Sequence, residues 1–182
     1  MHGGSVPTEG WTYDALAGID DDSCRYEVVD GSLVVSPRPT NLHMRLCRRL
    51  YDQVAPQCAP DWEAVFECGV RLGTDGRTAD LGIVAQPART PGAAVGYEPD
   101  DIGLLVEVVS PSSRKTDRFF KPVEYAAAGV PFYWRIETEP LLLVVAYRLV
   151  AGAFELVSEY DAGAARLPGP VSLHLDIDAL PR

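Results

Sequence analysis

Short apolar runs separated by turn residues occupy most of this chain and predict a protein rich in β-strands. The first two runs flank Asp30-Gly31, a two-residue turn signal, and therefore predict a β-hairpin. The later runs are expected to form an antiparallel meander. The predicted strands cover residues 24–29, 33–36, 62–72, 79–85, 104–109, 132–136, 141–150, 154–160 and 171–175.

Two longer segments have the four-residue apolar spacing of amphipathic helices. The first covers residues 41–54, with Thr40 or Asn41 as its cap and arginines on its polar face. The second covers residues 114–128. Pro122 within it lacks the N–H that a helix interior uses, so this helix is either kinked or begins just before the proline. Together the elements predict an α/β fold with a mixed sheet.

The composition is that of a globular protein and narrows the class further. With 182 residues, 47% of them hydrophobic, the chain is expected to form a single domain over residues 1–182. No apolar run approaches the roughly 20 residues of a membrane helix, and no signal peptide is evident, so a cytoplasmic location is expected. The cysteines show neither CxxC spacing nor zinc-ligand spacing to a histidine, so reduced, mostly buried thiols are expected.

The charge of the chain is strongly acidic but locally uneven. A net charge of −10 argues against tight non-specific binding to nucleic acid, which depends on neutralising phosphates. A local basic surface is nevertheless present, because Arg45, Arg48 and Arg49 share the polar face of the first predicted helix. If the chain acts on nucleic acid, this face is the predicted phosphate-contacting surface.

Two acidic residues lie inside apolar strands, where burial of an ionised carboxylate is costly. They are Asp80, in ADLGIV, and Glu107, in LLVEVV. On neighbouring strands the pair could hold Mg²⁺, which prefers a few hard oxygen ligands and would offset their desolvation, with the Val108 carbonyl as a further ligand. The alternative is that one acid pairs with an arginine and the other lies at an exposed strand end.

Lys121 is the candidate for stabilising charge beside these acids. It stands four residues after Asp117 and four before Tyr125, on one face of the second predicted helix. One interpretation is a surface ion pair with Asp117, worth about 0.2–0.5 kcal/mol. The other is that Lys121 points over the C-terminal end of the Glu107 strand, where it would stabilise a phosphoryl group or orient the attacking water.

The segments that carry these residues resemble the Uma2 family. The similarity rests on YEVVDGSLVVSP, ADLGIV and EVVSPSSRKTDRFFKPVEYAAAGVPFYW and covers residues 26–136. It implies membership of the PD-(D/E)xK superfamily, with a restriction-endonuclease-like mixed β-sheet flanked by helices, an N-terminal hairpin and a C-terminal antiparallel meander. It also implies an endonuclease that uses Mg²⁺ or Mn²⁺ and acts on nucleic acid, with DNA as the expected substrate. A homodimer is a further expectation.

Residue by residue, the resemblance implies a catalytic set. Asp80 matches the motif aspartate and Glu107 matches the (D/E) of (D/E)xK, so both are implied as catalytic and metal-binding residues. Ala79 replaces the motif proline, which has no chemical role. Val109 stands where the superfamily has its lysine, and Lys121 on the following helix matches the lysine that takes over in this family.

Two further positions match the family with roles left open, and two other functions also stay open. Glu27 is either a further metal or water ligand or an ordinary hairpin residue, and His43 either contacts substrate phosphate or caps its helix.

The first alternative function is a catalytically silent binding or assembly module on the same fold. The second is an acid/base enzyme that uses Glu107 and Lys121 on a small molecule without metal.

Overall fold

The computed structural model describes residues 10–58, 60–87 and 95–181, which form an eight-stranded mixed sheet flanked by helices. This arrangement confirms the predicted fold. The strands of the large sheet are β1 (Cys24–Val29), β2 (Ser32–Pro37), β3 (Trp62–Leu72), β4 (Asp75–Ala85), β5 (Ile102–Val108), β6 (Phe132–Glu137), β7 (Leu143–Val150) and β8 (Ala153–Tyr160). A second sheet contains β9 (Ala164–Leu167) and β10 (Leu173–Asp176), and the two α-helices are α1 (Asn41–Val54) and α2 (Lys121–Ala127).

The large sheet has the strand order β2-β1-β4-β5-β6-β7-β8, and β3 pairs with β4 outside this path. Only β5 and β6 pair in parallel among these strands, and the connection between them contains α2. The β1–β2 hairpin forms as predicted, because Asp30 (φ +49°) and Gly31 (φ +68°) adopt the positive φ values of a type I′ turn. The antiparallel run β6–β7–β8 confirms the predicted meander.

Apolar side chains cover both faces of the sheet. One face packs against Leu46 and Leu50 of α1 and against the β9–β10 hairpin. The other face packs against Tyr125 of α2. The central strands β4 and β5 are therefore buried on both sides, which is why their sequences are apolar runs rather than alternating ones.

Helix α1 has the predicted bounds, and Thr40 is its cap: the Thr40 side chain accepts the backbone N–H of His43 at 3.4 Å. The buried face of α1 consists of Leu46, Cys47, Leu50 and Val54, whereas Leu42 near its start is 52% exposed.

The last predicted strand exists, but it does not extend the meander as expected. It forms β10 and pairs with β9, an unpredicted strand, in the separate hairpin. The free edge of β10 is bound by side chains from the end of α1. Gln53 donates to the carbonyl of Asp176 at 3.1 Å and accepts its N–H at 2.7 Å, so the helix replaces a neighbouring strand.

The second predicted helix contains a wide turn at Thr116–Phe120, directly before α2. In this turn the N–H of Lys121 binds the carbonyl five residues earlier instead of four. Pro122 has no N–H, so the Asp117 carbonyl needs another donor, and the Tyr133 hydroxyl supplies one at 2.8 Å. The proline is thus accommodated by local widening at the start of α2.

Residues 86–101 are rich in proline and glycine, a composition that predicts a surface loop between β4 and β5. Residues 88–94 of this segment lie outside the described residues, and the segment ends in a single helical turn at Pro99–Asp101. None of the described helices has the length and apolar character needed to cross a membrane.

Candidate active site

Asp80 and Glu107 lie on adjacent antiparallel strands, as predicted. Leu81 pairs with Val106 at one end of the ladder between β4 and β5. Asp80 and Glu107 are the next residues beyond this pair. Both are buried, with 4% exposure for Asp80 and 1% for Glu107. The backbone N–H of Val108 donates to Asp80 Oδ2 at 2.8 Å and thereby fixes the Asp80 carboxylate against β5.

Lys121 lies beside Glu107 and not in solvent. Its Nζ is 2.9 Å from Glu107 Oε1 and donates to the Thr78 carbonyl at 2.9 Å. The Tyr125 hydroxyl, one turn further along α2, donates to the same Glu107 oxygen at 2.9 Å. The helix therefore delivers an ammonium group to the carboxylate of β5, although Val109 occupies the motif position of the lysine.

Asp117 does not draw Lys121 away from the site. Asp117 Oδ1 is 3.7 Å from Nζ, and Asp117 is itself buried. Lys121 is only 4% exposed, so the interpretation as a surface ion pair is wrong. Glu27 also faces the ammonium, at 3.6 Å, which gives Lys121 three carboxylate neighbours.

Glu27 is a buried part of this network, not a half-exposed hairpin residue. Its Oε1 accepts the backbone N–H of Thr78 at 2.8 Å, and Arg77 Nη1 is 3.3 Å from its Oε2. Arg77 also makes two bonds of 2.7 Å to Glu124 of α2. The Thr78 carbonyl also binds Lys121. These contacts of Arg77 and Thr78 join the start of β4 to α2, and Glu27 of β1 binds both residues of β4.

The environments of the two central acids push their pKa values in opposite directions. Burial raises the pKa of Glu107 to about 8, and the charges of Asp117 and Asp80 add to this although Lys121 opposes it. Burial would also raise the pKa of Asp80, but His43, Arg25 and Lys121 outweigh it and lower that pKa to about 2. Asp80 is therefore a permanent anion, whereas Glu107 holds a proton more tightly than an ordinary glutamate.

Two basic side chains face the outer oxygen of Asp80. Arg25 Nη2 donates to Oδ1 at 3.0 Å, and His43 Nε2 lies 3.1 Å from the same oxygen. The His43 ring thus points at Asp80, and Thr40 caps the helix, so the interpretation of His43 as the cap is wrong. The predicted contact of His43 with substrate phosphate is not tested by this geometry and stays a prediction.

The three arginines of α1 all lie on its exposed face, as predicted. Arg48 pairs with Asp52 at 2.8 Å and lines a cleft of about 420 Å³ whose lining also includes Asp80. Arg45 and Arg49 are exposed and are not among the lining residues. The other lining residues are Arg25, Arg38, Pro39, His43, Met44, Cys47, Phe66 and Glu67.

Similarity to known proteins identifies the family of this chain. The sequence model of Uma2, described as "Putative restriction endonuclease", matches residues 12–178. The chain belongs to the Uma2 family. A solved structure of "a putative nuclease belonging to DUF820" from Anabaena variabilis shares the fold, with a TM-score of 0.69 and 18% identity over 92% of this chain and 96% of that one. No curated protein matches the sequence.

The donor set of this Uma2 protein fits a hard divalent cation. Asp80 and Asp117 lie close enough to Glu107 to raise its pKa, so three buried acids supply carboxylate oxygens to one region. Arg25, His43 and Lys121 face Asp80 and Glu107 as basic partners. Carboxylate oxygens are the ligands that Mg²⁺ and Mn²⁺ prefer. Asp80, Glu107 and the Val108 carbonyl stay the predicted ligands.

Arg25 was not predicted as part of the site. It lies two residues before the candidate Glu27 on β1, and this alternation places both on one side of the strand, which is a usable signal. The contact of Arg25 with Asp80 and the contact of the Thr78 carbonyl with Lys121 join distant segments, and no local pattern marks them.

Proposed function

We propose that this Uma2 protein is a divalent-metal-dependent nuclease that hydrolyses phosphodiester bonds of nucleic acid, with DNA as the expected substrate. One observation carries the proposal: Lys121 Nζ lies 2.9 Å from Glu107 Oε1 in a buried site that also contains Asp80. An aspartate, a glutamate and a lysine are the three components of the PD-(D/E)xK site, and here the lysine arrives from a helix.

The residues of the chain have separable tasks in this proposal. Asp80, Glu107 and the Val108 carbonyl would hold the metal. Lys121 supplies positive charge where negative charge develops on the phosphate, and its two bonds of 2.9 Å fix it before substrate arrives. Tyr125 keeps the Glu107 carboxylate in one orientation. When bound, the metal would lower the pKa of a water molecule and neutralise phosphate charge.

The cleft in front of Asp80 supports a nucleic-acid substrate. Arg25, Arg38 and Arg48 bring positive charge to it in a chain whose net charge is −10. Phe66 forms part of its wall and stacks on Tyr51 with ring centroids 4.4 Å apart. Arginines for phosphates beside an aromatic surface for bases are the usual components of such a groove.

The decisive experiment is a cleavage assay with plasmid DNA, single-stranded DNA and RNA, in Mg²⁺, in Mn²⁺ and in chelator. We expect metal-dependent cleavage of DNA that both Asp80→Asn and Glu107→Gln abolish, whereas the exposed-residue control Glu155→Gln on β8 cleaves normally. Equal cleavage by all variants would assign the activity to a contaminant. Nucleic-acid binding without any cleavage would favour the silent binding module.

Two broader expectations belong to the same proposal. The family match over residues 12–178 supports a single domain. A homodimer is supported by the sheet edge at β8, where Leu156 and Val157 are exposed apolar side chains. Light scattering of the purified chain tests the homodimer, and a monomeric mass at assay concentrations would remove it.

A further inference from the structure

His43 and Cys47 lie one helical turn apart on α1 and face Asp80 of β4. One ligand atom from each of the three residues lies within 4.8 Å of the others. The separation of His43 Nε2 and Asp80 Oδ1 is 3.1 Å. Ligand atoms about 2.0–2.1 Å from a tetrahedral zinc ion are roughly 3.3 Å apart, so this nitrogen–oxygen pair already has the required spacing. The Cys47 sulfur lies within 4.8 Å of a ligand atom of each of the other two residues.

The imidazole has one close polar contact, and that contact is poorly aligned. His43 Nε2 is buried and lies 3.1 Å from Asp80 Oδ1, without the alignment of a hydrogen bond among the described residues. A buried polar atom that is only partly satisfied is costly. A metal ion between the ring nitrogen and the carboxylate would satisfy both.

The chemistry of the three donors selects the metal. A thiolate, an imidazole and one carboxylate oxygen suit Zn²⁺ or Co²⁺, whereas Mg²⁺ avoids sulfur and prefers oxygen. With the thiol proton released on binding, Cys47 and Asp80 balance the two charges of the cation. All three residues line the cleft of about 420 Å³, so the ion has an entry path and a fourth position open to water.

Arg25 donates to Asp80 Oδ1 at 3.0 Å, so a cation that binds this oxygen has to displace Arg25. A second acid is available to it. Glu67 Oε1 lies 3.5 Å from the same Arg25 nitrogen and is partly exposed. Arg25 can therefore turn to Glu67 and keep an ion pair when a metal takes its place at Asp80.

We propose that His43, Cys47 and Asp80 form a site for a thiophilic divalent cation, Zn²⁺ or Co²⁺. It differs from the proposed magnesium site because two of its ligands, His43 and Cys47, lie on α1. The two sites share Asp80, so they exclude each other if the nuclease proposal holds. The binding itself does not depend on that proposal.

Co²⁺ is the probe, because thiolate ligation gives a charge-transfer absorption band in the near ultraviolet. The wild-type protein, reduced and metal-free, should develop this band to a stoichiometry of one. Equimolar Zn²⁺ should displace Co²⁺, whereas equimolar Mg²⁺ should not, because it avoids the sulfur ligand. Cys47→Ala should abolish the band and weaken Zn²⁺ binding by more than about tenfold, since even indirect partners of a metal contribute about 10–100-fold. His43→Ala should weaken binding similarly but retain any thiolate band.

The matched control is Cys58→Ala, a half-buried cysteine near the end of α1 that lies outside the cluster and should leave the band unchanged. Absence of a band in the wild-type protein, which needs no variant to fold, would overturn the proposal. So would a band that persists in Cys47→Ala or disappears in Cys58→Ala.

Discussion

Replacement of Glu107 by glutamine should stabilise the metal-free protein, and the gain should grow with pH. The folded pKa of Glu107 is about 8, raised first by burial, whereas an ordinary glutamate has a value of 4.5. Between these values the folded protein retains a proton that the unfolded chain has released, so the free energy of unfolding falls as pH rises. Each pKa unit corresponds to about 1.4 kcal/mol, which gives a penalty of about 3 kcal/mol at pH 7.

Glutamine has no proton to lose and should escape this penalty. Its amide oxygen can still accept the bonds from Lys121 and Tyr125, which now reach Glu107 at 2.9 Å. The test is urea unfolding of wild type and Glu107→Gln in chelator at pH 5 and pH 7. The two proteins should differ little at pH 5 and by about 3 kcal/mol at pH 7, or roughly 6–12 °C in Tm.

The exposed control Glu155→Gln should follow the wild-type pH profile. A stability difference between wild type and Glu107→Gln that is the same at both pH values would refute the reasoning, because it would show that Glu107 titrates alike in the folded and unfolded states. The same variant should lose its stabilisation by Mg²⁺. A stable but inactive protein would then show that the chain retains a destabilising acid for its chemistry.

The other predictions concern the cation, the metal and the substrate. Lys121→Met should reduce cleavage about a hundredfold or more. It should lower the free energy of unfolding by roughly 2–3 kcal/mol, less than the usual cost of a broken buried pair, because Glu107 already holds its proton at pH 7 and is not left as an unpaired charge. Full activity of Lys121→Met in the plasmid assay would contradict this. Mn²⁺ should raise the Tm of wild type but not of Asp80→Asn, and an equal rise in both would place the ion elsewhere. Arg48→Ala should lower the salt dependence of DNA binding by about one unit of slope, whereas Arg148→Ala on β7 should not.

Local patterns predicted most of this fold, because the strands of the large sheet carry their signal within a few residues. The β9–β10 hairpin was missed as a separate unit because its edge is satisfied by Gln53 and Gln57, more than 100 residues away in sequence. The candidate site likewise has residues that the sequence marks and contacts that it does not. Asp80 and Glu107 stand out as charges in apolar strands, whereas the contact of Arg25 with Asp80 exists only after folding.

The environment of Lys121 was harder to predict. The spacing of Asp117 and Lys121 is the same whether their helix face meets water or the sheet, so the sequence allowed an exposed pair. The structure buries both. The signal that distinguishes the cases is Tyr125, whose aromatic side chain one turn later on the same face favours a buried surface. The spacing of His43 and Cys47, overlooked as a ligand pair, is equally plain once α1 is known to be a helix.

Placing the lysine on a helix changes what the site depends on. A lysine at position 109 would be aimed by the pairing of β5 with β6, whereas Lys121 is aimed by the docking of α2. Two contacts fix that docking: the paired bonds of 2.7 Å between Arg77 and Glu124, and the Tyr133 hydroxyl bond to the backbone released by Pro122. The bonds from Lys121 to the Thr78 carbonyl and to Glu107 can hold only while α2 stays in place. Groups that never approach the phosphate would thus set the position of the charge that acts on it, so the wide turn and the Arg77–Glu124 pair belong to the candidate active site as much as its acids do.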